Sequence, residues 1–264
     1  MGRNLDERDL GICCADFYNH PVIVQLLDGI FHPGGLALSK LMVDKMGLEI
    51  DSRLLDIACG DGKTASYLAK VLGIRVTGID VGPDMIRSAT ELAKTMRIDQ
   101  RVEFKVALAS EIPFDSQSFD AVISECALCT FLYKESAVSE IARVLRPKGI
   151  VGLNDVTVRN HEELNDELRG LLGRVACVAD ALSSDEYIDL FRRRGFTLIE
   201  ASTHSDLIED MARKARTRAR FFSQVNEDLE SKSKMEDAVG IVDMILKQIE
   251  SGNIGYEMFI FQSS

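Results

Sequence analysis

From residue 53 onward, short apolar runs alternate with stretches whose apolar residues recur every three or four positions. "RLLDIAC" is a compact apolar run that stops at a glycine-rich turn, and "KTASYLAKVLG" follows with helical spacing and a terminal glycine. "RVTGID" predicts a second strand, and "GPDMIRSATELAKTMR" a helix with proline in its first turn. "VEFKVA" and "FDAVISE" predict a third and a fourth strand, rich in β-branched residues. "KESAVSEIARVLRPKG" predicts a helix closed by Pro147 and Gly149, and "IVGLNDVTV" a fifth strand. Such alternation predicts an α/β protein, a parallel sheet with helices on both faces.

The flanks read differently. Residues 1–50 carry two apolar-periodic stretches split by "HPGG", which predict helices packed ahead of the sheet, near the strand ends where ligands bind. Residues 161–194 predict a helical segment, "FTLIEAS" (196–202) a strand, and "YEMFIFQ" (256–262) a final strand. The stretch 205–252 is charged and lacks proline, which predicts helices inserted before the last strand as a lid or cap, mobile in the absence of ligand. The expected divisions are thus an N-terminal helical segment (1–50) over the active site, a core (51–204), an insertion (205–252), and the last strand (253–264).

Composition narrows the partners. A net charge of −11 argues against nucleic acid, because a phosphate backbone is held by clustered lysine and arginine. The one basic run, "RKARTRAR" (213–220), reads as a solvated helix face. No apolar run reaches the ~18–20 residues of a membrane span. The N-terminal residues lack the apolar stretch of a secretory signal, so a cytoplasmic location is expected. Six cysteines are then expected to be free thiols.

The chemistry starts at "LLDIACGDGKT" (54–64). Asp56 stands near the end of the first strand, and Gly60 and Gly62 lie in the turn into the helix, where glycine lets the backbone approach a ligand. Asp80 ends the second strand, twenty residues after Gly60, and is placed to accept hydrogen bonds from both hydroxyls of a ribose. A dinucleotide fold wants G-x-G-x-x-G, but here the loop is A-C-G-D-G-K, and Asp61 would repel a phosphate. A nucleoside cofactor without phosphates suits the loop better, and S-adenosylmethionine is one.

The run "LLDIACGDG", "VTGIDVGPDMI", "EIPFDSQSFDAVIS" and "ARVLRPKG", in that order, resembles the class I S-adenosylmethionine-dependent methyltransferases over residues 50–160. That resemblance implies a Rossmann-like, seven-stranded, mostly parallel sheet. It implies that Asp56, Ala58, Gly60 and Gly62 cradle the methionine moiety, that Asp80 holds the ribose, and that Met85 covers the adenine. Val81 and Glu125 join them as cofactor-binding residues. The first glycine of the family loop is Ala58 here, and Leu108 stands where the family often has an acid, so adenine is expected to be held around Ala109 and Ser110.

"SECALCTF" (124–131) becomes the loop after the fourth strand, which in this family faces the methyl group and its acceptor. Cys126 in that loop and Cys177, ahead of an "ALS" segment and a "GF", also resemble the arsenite methyltransferase group. The resemblance implies that both thiols hold a soft acceptor, since thiolates select soft centres. The match is partial: no cysteine follows Cys177, and upstream only the adjacent Cys13 and Cys14 are available. Cys59 and Cys129 read as packing, and a zinc clip lacks the second cysteine pair it needs. His20, His32, Tyr18 and Asp155 are the remaining polar candidates near the cleft. The lead expectation is therefore methyl transfer to a small soft acceptor. Beside it stand O-, N- or C-methylation of a quinone-like molecule, and a cofactor-binding regulatory protein without catalysis. The oligomeric state stays open.

Overall fold

The computed structural model describes residues 6–225 and 229–264. Three helices come first: α1 (Glu7–Asn19), α2 (Pro21–Leu27) and α3 (Gly35–Met46). Then strand and helix alternate as β1 (Arg53–Ile57), α4 (Lys63–Leu72), β2 (Arg75–Asp80), α5 (Pro83–Met96) and β3 (Val102–Val106). They are followed by β4 (Phe119–Glu125), α6 (Lys134–Val144) and β5 (Leu145–Val158). These pieces build a seven-stranded sheet in the order β3-β2-β1-β4-β5-β7-β6, with β6 (Phe196–Thr203) and β7 (Ile254–Ser263) at one edge. The pairs from β3 through β5 are parallel, while β7 runs antiparallel to both β5 and β6. Buried on both faces, the central strands need the near-continuous apolar runs seen in the sequence: Leu54, Leu55, Val122 and Ile123 are fully buried.

Local signals set the helix ends. Gly47 and Gly73 stop α3 and α4 in the left-handed conformation, and Ser183 with Glu186 forms a capping box on α9 (Ser184–Arg192). Two expectations are corrected. The helix expected to run to residue 149 ends at Val144, and "LRPKG" instead enters β5 beside a register shift against β4. The segment 161–194 is not one helical stretch. It breaks into short turns, α7 (Asp166–Arg169) and α8 (Leu171–Val175), before α9, with Asn165 capping α7 and Gly170 ending it.

The insertion folds as an antiparallel pair, α10 (Ser205–Val225) and α11 (Leu229–Glu250). At its base Ile208 and Ile249 join the main core, and farther out Ala219 and Met235 bury Leu26 of α2. Arg218 donates to the Leu26 carbonyl at 3.0 Å and to Asp28 at 2.9 Å, bracing the end of α2. Much of the basic run is paired: Arg213 with Glu209 and Glu250, and Arg216 and Arg220 with Asp243.

Candidate functional site

The carboxyl ends of β1, β2 and β4 open on a pocket that α1 closes from above. Its floor is the turn from β1 into α4. Ala58 adopts φ 59° and Gly60 φ 54°, both left-handed. An alanine gives up about 1–2 kcal/mol to sit there. The two glycines of the turn serve different ends. A methyl group on Gly60 would meet nothing within 4 Å, so its backbone is bare toward the pocket. One on Gly62 would fall 2.6 Å from Ala89 and 2.8 Å from the Phe104 ring, so Gly62 lets α4 pack against α5 and β3 and lies outside the pocket lining. Asp80 fixes the turn from the side, accepting from the Gly60 amide at 2.9 Å and the Gly82 amide at 2.8 Å.

Negative charge gathers under this floor. Asp80 and Glu125 line the pocket, and Asp56 is buried beneath with one carboxylate oxygen lacking a hydrogen-bond partner among the described residues. Burial pushes the Asp56 carboxyl well above its usual range, and the Glu125 and Asp80 charges push it further. Burial likewise raises Asp80, against the backbone amides of Gly82, Gly60 and Val81 that favour its charged form. Glu125 is held by Ser39, whose hydroxyl lies 2.9 and 3.0 Å from its two oxygens, and by the Asn154 amide at 2.8 Å. His32 approaches the same carboxylate at 3.6 Å. Three acids clustered at one end of a pocket favour a cationic ligand there.

The roof is α1. A methyl group on Gly11 would lie 2.7 Å from the Val81 side chain, and one on Gly82 would lie 2.8 Å from Ala15, so small residues let α1 sit directly on the turn after β2. Glu7 accepts from the Ser110 hydroxyl, and Tyr18 donates to the Val175 carbonyl at 2.9 Å. From below, Lys63 donates to the Gly29 carbonyl at 2.9 Å and lies over the Phe31 ring. Asp61 turns toward Lys63, 2.7 Å away, and not into the pocket.

Of the residues expected at the cofactor, Ala58, Gly60, Asp80, Val81, Met85, Ala109 and Glu125 line this one pocket. Asp56, Gly62 and Ser110 do not: Asp56 lies under the floor, Gly62 in the helix packing, and Ser110 is engaged with Glu7. No described residue of 205–252 lines it either, so the cover over the pocket is α1 and not the insertion.

Cysteines from separate segments of the chain converge beside the pocket. Cys177 sits with its sulfur 3.4 Å from the Cys126 carbonyl and 3.6 Å from the Tyr18 hydroxyl, and Cys129 adjoins it. Contact with the Cys126 and Cys129 thiols, then with the Tyr18 hydroxyl, pulls the Cys177 thiol below its usual range against the opposing effect of burial. Cys126 rises in turn, chiefly because it shares that contact. Cys126 and Cys14 line the pocket, whereas Cys177 is only 2% exposed and lies behind them. The expectation that Cys126 and Cys177 both face an acceptor is therefore corrected for Cys177: Tyr18 and Cys126 stand in front of it. Cys129, expected as packing, is buried, and its amide donates to Asp155 at 2.9 Å. Burial pushes Asp155 up to about 7. Among the described residues no group of three or more His, Cys, Asp or Glu is arranged to hold a metal ion, and no helix is long and apolar enough to cross a membrane.

Several residues that shape the site escaped the sequence reading. Ser39 and Asn154 carry no motif, and only tertiary contact shows them holding Glu125. Gly11 and Ala15 did leave a signal, two small residues one helical turn apart in "LGICCADFY".

Residues 55–153 match the methyltransferase domain family. The chain is 38% identical over 120 residues to YodH of Bacillus subtilis, an uncharacterized methyltransferase. That match covers 46% of this chain and 50% of YodH. It is 34% identical over 118 residues to the 27-O-demethylrifamycin SV methyltransferase of Amycolatopsis mediterranei, covering 45% of this chain and 43% of that one. The chain thus spans about half the length of these curated relatives. Among solved structures, Haemonchus contortus phosphoethanolamine N-methyltransferase 2, in complex with phosphomonomethylethanolamine and S-adenosylhomocysteine, superposes with a TM-score of 0.81 at 20% identity. It covers all of this chain and 61% of that chain. The [4+2]-cyclase SpnF superposes with a TM-score of 0.80 at 20% identity, covering 98% and 97% of the two chains. Residues 55–153 of this chain are thus similar to the methyltransferase domains of these relatives. The acceptor belongs to the site and not to the fold, as a neighbour named for cyclisation makes plain.

Proposed function

We propose that this chain transfers a methyl group from S-adenosylmethionine to a small, uncharged acceptor with an apolar body, bound between α1 and the loop after β4. The observation that carries this reading is the lining of the pocket. Leu10, Phe31, Phe131 and Leu132 furnish its apolar wall, and its charged residues, Glu7, Asp80 and Glu125, are all acids. A phosphorylated or carboxylate acceptor would meet no lysine or arginine among the described lining residues. The relative named for O-methylation of a rifamycin supports an acceptor of this kind. A soft acceptor shared by Cys126 and Cys177 is the less supported reading, since Cys177 would first have to displace Tyr18. The test is transfer of labelled methyl to a panel of hydroxylated apolar compounds, phosphorylated amines and arsenite. The first group should be methylated; preference for phosphorylated amines or arsenite would sink the proposal.

The cofactor fits what the floor offers. When bound, it supplies an electrophilic methyl group on a positively charged sulfur. Asp80, on this reading, accepts from the ribose with lone pairs that its two amide contacts leave free, and the bare backbone at Gly60 faces the methionine end. The clustered carboxyls of Asp56, Asp80 and Glu125 favour the cofactor's ammonium and sulfonium charges.

This arrangement gives a pH dependence with a definite sign. A carboxyl whose pKa is raised in the free protein keeps its proton to higher pH, and a bound cation favours the charged form, so protons should leave on binding. Cofactor affinity should therefore rise as pH climbs from the usual carboxylate range, near 4, through the raised titration of Asp56. Calorimetry in buffers of different ionisation heat reads the release directly; proton uptake on binding would contradict it.

Tyr18 is the hydroxyl on the acceptor wall. Its proton is committed to the Val175 carbonyl, so it can accept a hydrogen bond from an acceptor hydroxyl. Tyr18→Phe should lower kcat/KM roughly 2- to 10-fold, the worth of one neutral hydrogen bond, and leave cofactor affinity unchanged. A loss confined to cofactor affinity would contradict this placement.

A further inference from the structure

Four of the six cysteines, drawn from segments far apart in the chain, gather at the end of the pocket assigned above to the acceptor. Methyl transfer to an apolar acceptor uses none of them. Cys126 and Cys177 are also two of the non-glycine residues in the left-handed region, at φ 53° and 62°. Such conformations persist where the surroundings hold them, and they are concentrated at sites that do something. We propose that Cys126 and Cys177 form an oxidisable dithiol, and that their disulfide closes the acceptor side of the pocket.

Geometry selects this pair. The Cys177 sulfur lies 3.4 Å from the carbonyl oxygen of Cys126, so the two residues are in direct contact. Cys126 lines the pocket, so an oxidant little larger than water reaches the pair through it. Cys129 also adjoins Cys177, but it is buried and does not line the pocket. The oxidant is a hydroperoxide, hydrogen peroxide being the simplest. As its thiolate, the Cys177 sulfur attacks one oxygen of a peroxide that has entered past Cys126, and breaks the O–O bond. This forms a sulfenic acid and releases hydroxide, which takes up a proton to become water. The Cys126 sulfur then attacks the sulfenic sulfur, and a second water leaves as the S–S bond forms. The two thiols are oxidised by two electrons in all, and the peroxide is reduced to two waters.

A disulfide brings the sulfurs to about 2.05 Å. That draws Cys126 off the pocket wall toward Cys177 and removes the contact between Cys177 and the Tyr18 hydroxyl. The loop 126–132, with Phe131 and Leu132, moves with it. The effect on catalysis rests on the proposed reaction, whereas the dithiol itself does not. A shift of about 1 Å in a bound acceptor can cost roughly 100-fold in rate.

The test oxidises the full chain with stoichiometric hydrogen peroxide, maps crosslinks by non-reducing digestion and mass spectrometry, and measures methyl transfer and cofactor affinity before and after. The expected result is a Cys126–Cys177 crosslink, lost on adding dithiothreitol. Transfer should fall at least tenfold and return on reduction, with cofactor affinity within about threefold throughout. In Cys177→Ala and Cys177→Ser, peroxide should leave the ratio of treated to untreated activity near one. Cys126→Ala should form no crosslink to Cys177. A crosslink of Cys177 to Cys129 or Cys14, or oxidation without any crosslink, overturns the dithiol even if methyl transfer is found. A Cys126–Cys177 crosslink that leaves transfer intact overturns the closing of the pocket. A crosslinked protein that methylates nothing in its reduced form overturns the proposed reaction and leaves the dithiol standing.

Discussion

Asp80→Ala should weaken S-adenosylmethionine binding by about 1.5–3 kcal/mol, roughly 10- to 150-fold in Kd, the usual worth of hydrogen bonds to a charged group. Two losses combine in that change. The ribose would lose its acceptor, and the amides of Gly60 and Gly82 would lose the carboxylate that fixes them. Asp80→Asn separates the two, because its single carbonyl oxygen can keep one of these partners, so its loss should be smaller. Calorimetry decides the matter. An unchanged affinity in Asp80→Ala would mean that Asp80 only caps the turn.

The second large effect concerns stability. Gly62→Ala puts a side chain at φ 73°, at about 1–2 kcal/mol. It also drives a methyl group into Ala89 and Phe104, and overpacking of this kind adds about 1–3 kcal/mol. The protein should lose about 2–5 kcal/mol, read as a drop of roughly 4–20 °C in Tm for a chain of this size. Gly60→Ala, two residues earlier, should lose only the backbone part, since its methyl group would point into open space. Thermal unfolding of both variants without ligand separates packing from conformation. Equal drops would show that the crowding at Gly62 contributes nothing.

Much of the fold was legible because buried parallel strands leave a strong mark. "RLLDIAC" and "FDAVIS" can be little else when helices with their own caps separate them. The segment 161–194 was misread because its apolar spacing is helical, while the breaks come from single residues, Gly170 and the cap at Asn165. The glycine turn and Asp80 were legible as a ligand site through spacing alone. Spacing could not divide the work within the turn: Gly60 and Gly62 look alike in sequence, and only the neighbours of each, open space for one and Phe104 for the other, tell them apart. Ser110 was assigned to adenine because it stands near the right strand end, and Glu7, more than a hundred residues away, claims its hydroxyl. The cysteines show the same limit. Their order hinted at Cys126 with Cys177, but which thiol faces the pocket depends on Tyr18, which no spacing reveals.

The antiparallel strand β7 has a consequence for how the sheet is assembled. It lies between β5 and β6, pairing Val158 with Ile254 on one side and Phe196 with Ser263 on the other. During synthesis β6 leaves the ribosome about fifty residues before its only partner in the sheet exists, and α10 and α11 must emerge in between. Until β7 arrives, β5 has an open edge and Phe191 lacks Phe261, on which it stacks, a condition that invites pairing with other chains. The slowest step of folding should therefore be this late insertion, with β1 to β5 already formed.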